Sequence, residues 1–368
     1  MKFPTSISKG RVVFSVALFA CGATAVLAAD LLETIDQEVS SIYEKSKDAI
    51  VKVHTQRLLQ IGNLSLVPSH RIGTGFFIDK DGHLLTAATV VADAGSCWID
   101  WHGQRMEARI LGRDPQTNVA LLKVEPETGT ATPFLPQGNS DDLRVGSMVI
   151  VIGFPYDLSS APVVGFVGGL DIQRGGGHVF PTSHIRAGCR LSPGQGGGPL
   201  LNVHGKVVGI AVAAHMDDQC FALPINAARK VCSDILQFGQ PQRAWVGLGI
   251  TERQQSDTEA GMAKPQVFVQ QIYSNAPAAS AGFREGDVLV CIGTNEVRHF
   301  ADVLNIMFYQ HAGDPAEFTV LRGGQERKIL LVVGDRPAEE STMVQSVPPP
   351  GPLKPQGRPI LIPTSLEQ

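Results

Sequence analysis

Residues 191–201 read Leu-Ser-Pro-Gly-Gln-Gly-Gly-Gly-Pro-Leu-Leu, and residues 202–210 continue into a predicted turn and strand. Glycine adopts backbone angles that other residues avoid, and it lets other groups approach the main chain closely. A glycine cluster closed by proline and apolar residues therefore predicts a tight loop whose backbone N–H groups face a cleft. This is the shape of an oxyanion-hole loop, and its candidate donors are the amides of Gly194, Gln195 and Gly196.

Short β-rich runs precede this loop from residue 49 onward. They are separated by turn residues such as Asp-Lys-Asp-Gly at 79–82, with no intervening helical pattern. The runs span residues 49–53, 75–78, 97–101, 108–111, 119–124 and 148–152. This rhythm predicts an all-β domain, and periodicity leaves both a barrel and a sandwich open.

The glycine loop resembles the nucleophile loop of HtrA/Deg-type trypsin-like serine proteases, which usually reads Pro-Gly-Asn-Ser-Gly-Gly-Pro-Leu. The resemblance places Gly196 where the family has its nucleophilic serine. It also extends over residues 73–78, 145–155, 164–167 and 221–225, all in the family's order. It implies a mostly β fold, with a trypsin-like double β-barrel followed by one α+β PDZ domain.

The other two catalytic positions of the family are also substituted. Its histidine lies in a segment of the type Leu-Thr-Asn-Asn-His-Val-Val, and residues 85–91 here read Leu-Thr-Ala-Ala-Thr-Val-Val, which puts Thr89 in that place. Its aspartate follows an Asp-Pro pair, and the run from Asp114 puts Asn118 there. His83 and His204 lie at predicted turns and His215 lies beyond the next predicted strand, and none is at a family catalytic position.

A serine is inert near neutral pH unless a histidine takes its proton and a carboxylate orients that histidine. With Thr89, Asn118 and Gly196 at the three positions, we expect an HtrA-like pseudoprotease that is not an enzyme. It would bind peptides, protein C-termini or unfolded proteins without cleaving them. The alternatives are a serine endopeptidase of protein quality control with an unrecognised catalytic centre, and a scaffold whose barrel is only a stable support.

A second resemblance begins at residues 243–250, Arg-Ala-Trp-Val-Gly-Leu-Gly-Ile, which are similar to the first strand and carboxylate-binding loop of PDZ domains. Pro-Ala-Ala-Ser-Ala-Gly-Phe at 277–283 and Gly-Asp-Val-Leu at 286–289 follow in the PDZ order. The resemblance implies a groove helix over 300–311 and a peptide C-terminus held by Trp245, Val246, Gly247 and Leu248. The alternative is that the two glycines form a simple turn.

The amino terminus carries basic residues before an uncharged apolar run over 12–28 that ends in small residues. This predicts a cleaved signal peptide and an exported protein, periplasmic or extracellular. A short membrane anchor and lipidation at Cys21 are the alternatives. We therefore expect a signal peptide at 1–28, a helical segment at 29–48, the double barrel at 49–238, the PDZ domain at 239–335 and a Pro-rich disordered tail at 336–368.

The formal net charge of −4 offers no basic face for nucleic acid, so we expect peptide or protein partners. The family resemblance implies a homo-oligomer, such as a trimer formed through the amino-terminal helix, and an active HtrA-like protease as a partner. We expect no cofactor and no metal, because no His, Cys or carboxylate residues show ligand spacing.

The cysteines remaining after the predicted cleavage are odd in number, so at least one thiol is unpaired. The family alignment puts Cys189 and Cys220 in segments that flank the specificity pocket of trypsin-like folds. This implies a disulfide between them. The alternative is that each is a small buried apolar residue.

Overall fold

A helix opens the described part of the chain. The computed structural model describes residues 32–61, 65–126, 131–174, 178–215, 219–256 and 263–335. Helix α1 covers residues 32–46 and continues into a 3-10 turn at Lys47–Ala49. It buries Ile42 in the main core, and the Tyr43 hydroxyl bonds the Ser160 backbone oxygen at 3.0 Å. The helical segment predicted at 29–48 thus lies against the body of the protein.

The first barrel contains six strands closed in the order β1-β2-β3-β6-β5-β4. Closure pairs every strand on both edges, so the barrel exposes no free sheet edge. Buried apolar side chains such as Phe77, Leu84 and Leu122 fill the interior. The strands are β1 (Ile50–Ile61), β2 (Ser65–Phe77), β3 (His83–Ala87), β4 (Ser96–Trp101), β5 (Gln104–Asp114) and β6 (Val119–Val124), with the short helix α2 (Ala88–Val91) after β3.

The second barrel repeats this architecture with six strands in the order β10-β11-β12-β9-β8-β7. Helix α3 (Ile225–Phe238) follows it and ends at Gly239, whose φ of 76° closes the last turn. The strands are β7 (Met148–Gly153), β8 (Ala161–Arg174), β9 (His178–Ala187), β10 (Pro199–Asn202), β11 (Val207–His215) and β12 (Gln219–Pro224). The predicted mostly β double barrel is confirmed, and the open choice between barrel and sandwich is settled for the barrel.

A smaller α+β unit follows the barrels. Its main sheet has the order β14-β15-β16-β18-β19, so β14 forms one edge. A pair of two-residue strands, β13 and β20, joins the start of the unit to its end. The elements are β13 (Ala244–Trp245), β14 (Leu248–Ser256), β15 (Ala263–Ile272), α4 (Pro277–Ala281), β16 (Val288–Ile292), β17 (Asn295–Glu296), α5 (Phe300–Phe308), β18 (Pro315–Arg322), β19 (Gln325–Val332) and β20 (Gly334–Asp335).

Helix α5 attaches this unit to the second barrel. The Asn305 side-chain oxygen accepts from the Ser183 backbone N–H at 2.6 Å and from the Thr182 hydroxyl at 3.0 Å. Phe308, at the end of the same helix, is buried in the core shared by the two barrels. The α+β unit is therefore docked through its helix, while β14 lies at the edge of its sheet.

The predicted signal peptide and Pro-rich tail lie outside the described residues. Within the described ranges, no helix has the length and apolar character needed to cross a membrane.

Candidate functional site

Thr74 holds the glycine loop between the two barrels. Its backbone N–H donates to the Gly196 carbonyl at 2.9 Å, and its hydroxyl donates to the Gly194 carbonyl at 2.8 Å. The same hydroxyl oxygen accepts from the Phe154 N–H at 3.1 Å. Thr74 belongs to β2 of the first barrel and Phe154 follows β7 of the second. The loop conformation therefore depends on how the barrels are packed, and the sequence analysis did not identify Thr74.

Two of the loop glycines are required by their backbone geometry. Gly194 and Gly197 have φ values of 95° and 89°, in the region that favours glycine. A Cβ atom would lie 2.2 Å from the Phe154 carbonyl oxygen at position 194, and 2.2 Å from the Thr74 carbonyl oxygen at position 197. Gly196 differs, because a Cβ atom there meets no heavy atom within 4 Å. Position 196, where the sequence resemblance expects the family's nucleophile, thus has room for a side chain.

The amides of the loop divide into two kinds. The Gln195 N–H donates to the Ser192 carbonyl at 3.1 Å, so it is used within the loop. The N–H groups of Gly194 and Gly196 donate to no acceptor among the described residues, and both glycines line the cleft. Two unbonded N–H groups that line the same cleft can donate together to one negatively charged oxygen.

The side chain of Gln195 lies under this loop. It is buried, and its Oε1 accepts from the Ser192 N–H at 2.8 Å. Its Nε2 has no hydrogen-bond partner among the described residues. Gln195 therefore supports the loop from inside and offers the cleft no backbone donor.

Thr89 and Asn118 are brought together across the first barrel. Asn118 Oδ1 accepts from the Thr89 backbone N–H at 2.8 Å, and Asn118 Nδ2 donates to the Val212 carbonyl at 2.6 Å. Thr89 lies at the exposed first turn of α2, and its hydroxyl has no partner among the described residues. The two side chains do not bond each other, so they form no relay for a proton.

A cleft of about 510 Å³ joins these parts. Gly194, Gly196 and Thr89 line it on its polar side, and Ile72, Val90, Leu191 and Val212 line it with apolar atoms. Arg71 is the one charged side chain among the described lining residues. Its Nη1 donates to the carbonyls of Thr89 and Ala92 at 3.0 and 3.1 Å. The sequence analysis missed Arg71, because no motif marks a residue that reaches the cleft from the middle of a long strand.

The histidines singled out in the sequence are engaged elsewhere. His83 begins β3 and pairs with Asp79 at 2.7 Å, and His204 lies in the exposed turn after β10. His215 ends β11. His184 escaped notice, yet it is fully buried in the second barrel, and burial lowers its pKa to about 4. Its Nδ1 donates to the Thr182 carbonyl at 2.9 Å, which assigns it to the core.

The predicted carboxylate-binding loop of the α+β unit lies between β13 and β14. Trp245 belongs to β13 and Leu248 begins β14. The carbonyls of Val246 and Gly247 accept from neighbouring backbone groups at 2.9 and 3.0 Å, which fixes the loop. Within the described chain their own N–H groups donate to no acceptor. Gly247 has a φ of 74°, and a Cβ atom there would lie 2.0 Å from the Ala276 Cβ.

Beyond this loop, β14 lies beside α5. Partly buried apolar side chains on both elements pack against the core of the unit: Leu248 and Ile250 on the strand, and Ile306 and Met307 on the helix. The Glu252 carboxylate on β14 accepts from the Phe300 N–H at 2.8 Å and contacts His299 Nδ1 at 3.3 Å. The sequence analysis did not identify this strand-to-helix contact, because Glu252 and Phe300 are 48 positions apart along the chain.

Cys189 and Cys220 lie side by side as thiols in the core of the second barrel. Their sulfur atoms are 3.0 Å apart and both residues are buried. The hydrogen bond with Cys189, together with burial, raises the pKa of Cys220. The structure thus brings the two residues of the expected disulfide together without a bond.

Groups of three or more His, Cys, Asp or Glu side chains suited to a metal ion are not found in the described ranges.

Comparison with known proteins identifies both units. Residues 73–210 match the family model of the trypsin-like peptidase domain, and residues 246–333 match that of the PDZ domain. Among solved structures, the HtrA-type protease AlgW with a decapeptide superposes with a TM-score of 0.67 at 23% identity, covering 81% of this chain and 99% of that one. The serine endoprotease from Yersinia pestis gives a TM-score of 0.59 at 22% identity, covering 81% and 98%. These likenesses show the fold.

Curated relatives are similar over most of the chain. A probable periplasmic serine endoprotease DegP-like of Pseudomonas fulva is 32% identical over 277 residues, covering 73% of this chain and 57% of the relative. A protein of the same name from Hahella chejuensis is 31% identical over 284 residues, covering 75% and 59%. The chain therefore spans between half and two thirds of the length of these relatives.

These names confirm one prediction and correct another. The relatives are named periplasmic, which supports the predicted export to the periplasm. The prediction that the chain is not an enzyme is wrong at the level of the family, because the relatives are named serine endoproteases. That prediction gave more weight to the three substituted positions than to the similarity of the rest of the chain to proteins named serine endoproteases. The chain is a trypsin-like peptidase homologue of the HtrA/DegP type, with a PDZ domain on the carboxyl side of its double barrel.

Proposed function

We propose that this protein binds peptides and protein C-termini in the periplasm through its PDZ groove. The observation that carries the proposal is the edge strand β14. It lies beside α5, and the loop at its start presents the N–H groups of Val246 and Gly247 without acceptors among the described residues. An extended peptide can add to an edge strand as a further strand, and free N–H groups at the start of that strand can donate hydrogen bonds to a terminal carboxylate.

The groove also sets the character of the ligand. Leu248 and Ile250 on β14, and Ile306 and Met307 on α5, are partly buried apolar side chains on the two elements that would form it. A peptide that adds to β14 places alternate side chains toward this apolar surface. The last side chain of the ligand should therefore be apolar. The AlgW structure contains a decapeptide, and its shared fold supports a peptide-binding role for this architecture.

At the barrel, we propose that Thr89, Asn118 and Gly196 serve binding and do not perform the proton transfers of a triad. Gly196 supplies no nucleophilic atom, and both side-chain groups of Asn118 are engaged with backbone groups. Among the described residues, no base accepts a hydrogen bond from the Thr89 hydroxyl, so nothing there would activate it as a nucleophile. The second candidate function is endoproteolysis, which the names of the relatives and the two free loop amides favour.

Binding at the groove is tested on the full chain with one fluorescent peptide ending in valine, prepared as the free acid and as the amide. Loss of a charge-assisted contact costs about 1.5–3 kcal/mol, so the amide should bind about ten to a hundred times more weakly. Ile306→Asp should abolish binding, whereas Leu330→Asp, at an exposed site on β19, serves as a matched control. Equal affinity for acid and amide would contradict the proposal.

The two candidate functions are separated by mass spectrometry of unfolded casein incubated with the purified chain. New peptide termini that also appear with the Thr89→Val variant would show that the chain is an endoprotease. Its catalytic residues would then lie outside positions 89, 118 and 196. Binding of casein without new termini supports the binding function.

A further inference from the structure

We propose that the free sheet edge at β19 binds a segment of this chain's own carboxyl-terminal tail, residues 359–363, which read Pro-Ile-Leu-Ile-Pro. The segment pairs antiparallel with β19, with Ile362 opposite Leu330 and Ile360 opposite Val332. β19 and β14 are the two opposite edges of the sheet, so this contact does not depend on the peptide groove.

The turn before β19 determines which of its backbone groups are free. Gly323 and Gly324 form a two-residue turn between β18 and β19, and their φ values of 57° and 80° are those of a type I′ turn. The residues on either side, Arg322 and Gln325, form a hydrogen-bonded pair. Bonded and unbonded pairs alternate along antiparallel strands, so the even-numbered residues of β19 direct their N–H and C=O groups away from β18.

The residues opposite the end of β19 support this assignment. Glu317 lies opposite Leu330, yet its carbonyl accepts at 2.7 Å from the N–H of Gly293, which follows β16 on the other side of β18. Pro315, opposite Val332, has no N–H to donate. In the part of the chain that the structure describes, the backbone groups of Leu330 and Val332 bond no residue outside the sheet. They are therefore available to another strand.

The side chains at these positions are apolar and exposed. Leu330 and Val332 are 70% and 60% exposed, whereas Ile329 and Leu331 are buried in the core of the unit. Natural sheets usually protect a free edge with charges, proline or a covering segment, because an apolar edge pairs with other chains. The charged residues of β19 all lie in its first half, at 326–328. The second half therefore needs a cover.

The tail segment, which lies outside the described residues, has the pattern of a strand that ends a sheet. Isoleucine favours β structure, and a proline stands on each side of the Ile-Leu-Ile run. Backbone N–H groups alternate in direction along a strand, so when Ile360 and Ile362 bond β19, the missing N–H groups of both prolines lie on the far side. Prolines there cost no hydrogen bond and prevent a further strand from adding. Leu361 then lies on the face that contains the core.

The connection to the segment is long enough for this pairing. β20 ends at Asp335, and residues 336–359 join it to Ile360. A stretch of this length reaches up to about 80 Å, whereas the eight residues of β19 span only about 26 Å. The tether also supplies the segment at a local concentration that dilution does not lower, which favours it over a second copy of the chain.

The test measures amide hydrogen exchange by mass spectrometry in the full chain and in the Ile360→Asp/Ile362→Asp variant. Residues 326–332 should exchange about tenfold or more faster in the variant, because the unpaired edge exposes its amides to water. The matched control is Val344→Asp/Val347→Asp, which places the same charges elsewhere in the tail and should exchange like the unmodified chain. Equal exchange in the unmodified chain and the isoleucine variant, or an equal gain in both variants, would overturn the inference.

Photocrosslinking identifies the chain that supplies the strand. p-Benzoylphenylalanine replaces Lys328, which leaves Leu330 and Val332 intact, in a mixture of ordinary and nitrogen-15-labelled chains. Irradiation should join position 328 to residues 358–366 of the same chain. Adducts to other segments, mixed-isotope adducts, or protection of residues 326–332 that increases with protein concentration would contradict pairing with the chain's own tail.

The outcome at β19 is kept separate from that at the peptide groove. Binding of the valine-ended peptide should be the same in the unmodified chain and in both tail variants, because the groove lies at the other edge of the sheet. Loss of edge protection with unchanged peptide affinity supports the tail contact. A change in peptide affinity that accompanies it would place the segment at β14 and overturn the assignment to β19.

Discussion

The side chain of Asn118 accepts a hydrogen bond from the backbone N–H of Thr89 at 2.8 Å. Asn118, which the sequence resemblance places at the family's orienting position, thus holds the main chain of α2. Its Nδ2 donates at 2.6 Å to Val212 on β11, which ties the first barrel to the second. An amide can accept and donate at once, whereas an ionised carboxylate only accepts. The Asn118 side chain therefore bridges α2 and β11 in a way that an ionised aspartate could not.

Asn118→Asp should therefore destabilise the fold. Aspartate keeps the size of the side chain and tolerates the φ of 57° at this position, but it loses the donor to the Val212 carbonyl. We expect a loss of about 1–3 kcal/mol in the free energy of unfolding at pH 7, measured by urea denaturation. The difference from the unmodified chain should narrow at pH 4, where a protonated carboxyl can donate again. An unchanged midpoint at pH 7 would show that the Nδ2 bond contributes nothing.

We expect the glycine loop to tolerate a side chain at position 196 and to be destabilised by one at position 197. Gly197→Ala places a Cβ atom 2.2 Å from the Thr74 carbonyl oxygen at a φ of 89°, so we expect a loss of about 2–5 kcal/mol. Gly196→Ala meets open space and should stay within about 1 kcal/mol of the unmodified chain. Thermal unfolding of the pair measures the difference. Equal melting temperatures would mean that the loop rearranges freely.

His184 should make the fold sensitive to acid. Its folded pKa of about 4 lies below the unfolded value of 6.5, chiefly because burial disfavours the charged imidazole. The unfolded chain therefore binds the proton first, and stability present above pH 6.5 is lost as the pH falls toward 4. The expected slope is about 1.4 kcal/mol per pH unit, or about 3 kcal/mol in total.

The matched variant for this prediction is His184→Gln, which keeps a donor toward the Thr182 carbonyl but does not titrate. Urea unfolding at several pH values between 7 and 4 should give a shallower dependence for the variant. Parallel curves for the two proteins would assign the acid sensitivity to other groups.

Cys189 and Cys220 should form a disulfide in protein isolated from the periplasm. Their sulfurs are 3.0 Å apart, and an oxidising compartment supplies a disulfide acceptor for the two electrons and two protons released. Cys97 and Cys232 are the internal control, because burial raises the pKa of each thiol to about 12 and they should stay reduced. Non-reducing peptide mapping checks the bond. Recovery of alkylated Cys189 and Cys220 under native conditions of isolation would refute it.

Much of the fold could be predicted from short motifs. The rhythm of strands and turns around residues 49–152 indicated an all-β domain, and the glycine run at 191–201 identified the loop because its backbone angles admit few other residues. The PDZ unit was recognisable for the same reason, through the segments at 277–283 and 286–289. The prediction that the chain is not an enzyme was wrong at the level of the family. It gave the residues at positions 89, 118 and 196 more weight than the similarity of the rest of the chain to proteins named serine endoproteases.

The sequence by itself determined the short-range features: the positions of many strands along the chain, the glycine turns, and which residues stand at positions 89, 118 and 196. Only the tertiary structure decided which distant groups meet. Thr74 reaches the loop across 120 positions, and Asn305 reaches Ser183 across 122. Local motifs are set by the backbone angles of neighbouring residues, whereas these contacts exist only after both barrels have closed and α5 has docked. Arg71 enters the cleft for the same reason, since the cleft itself is formed by two barrels that no single stretch of sequence encodes.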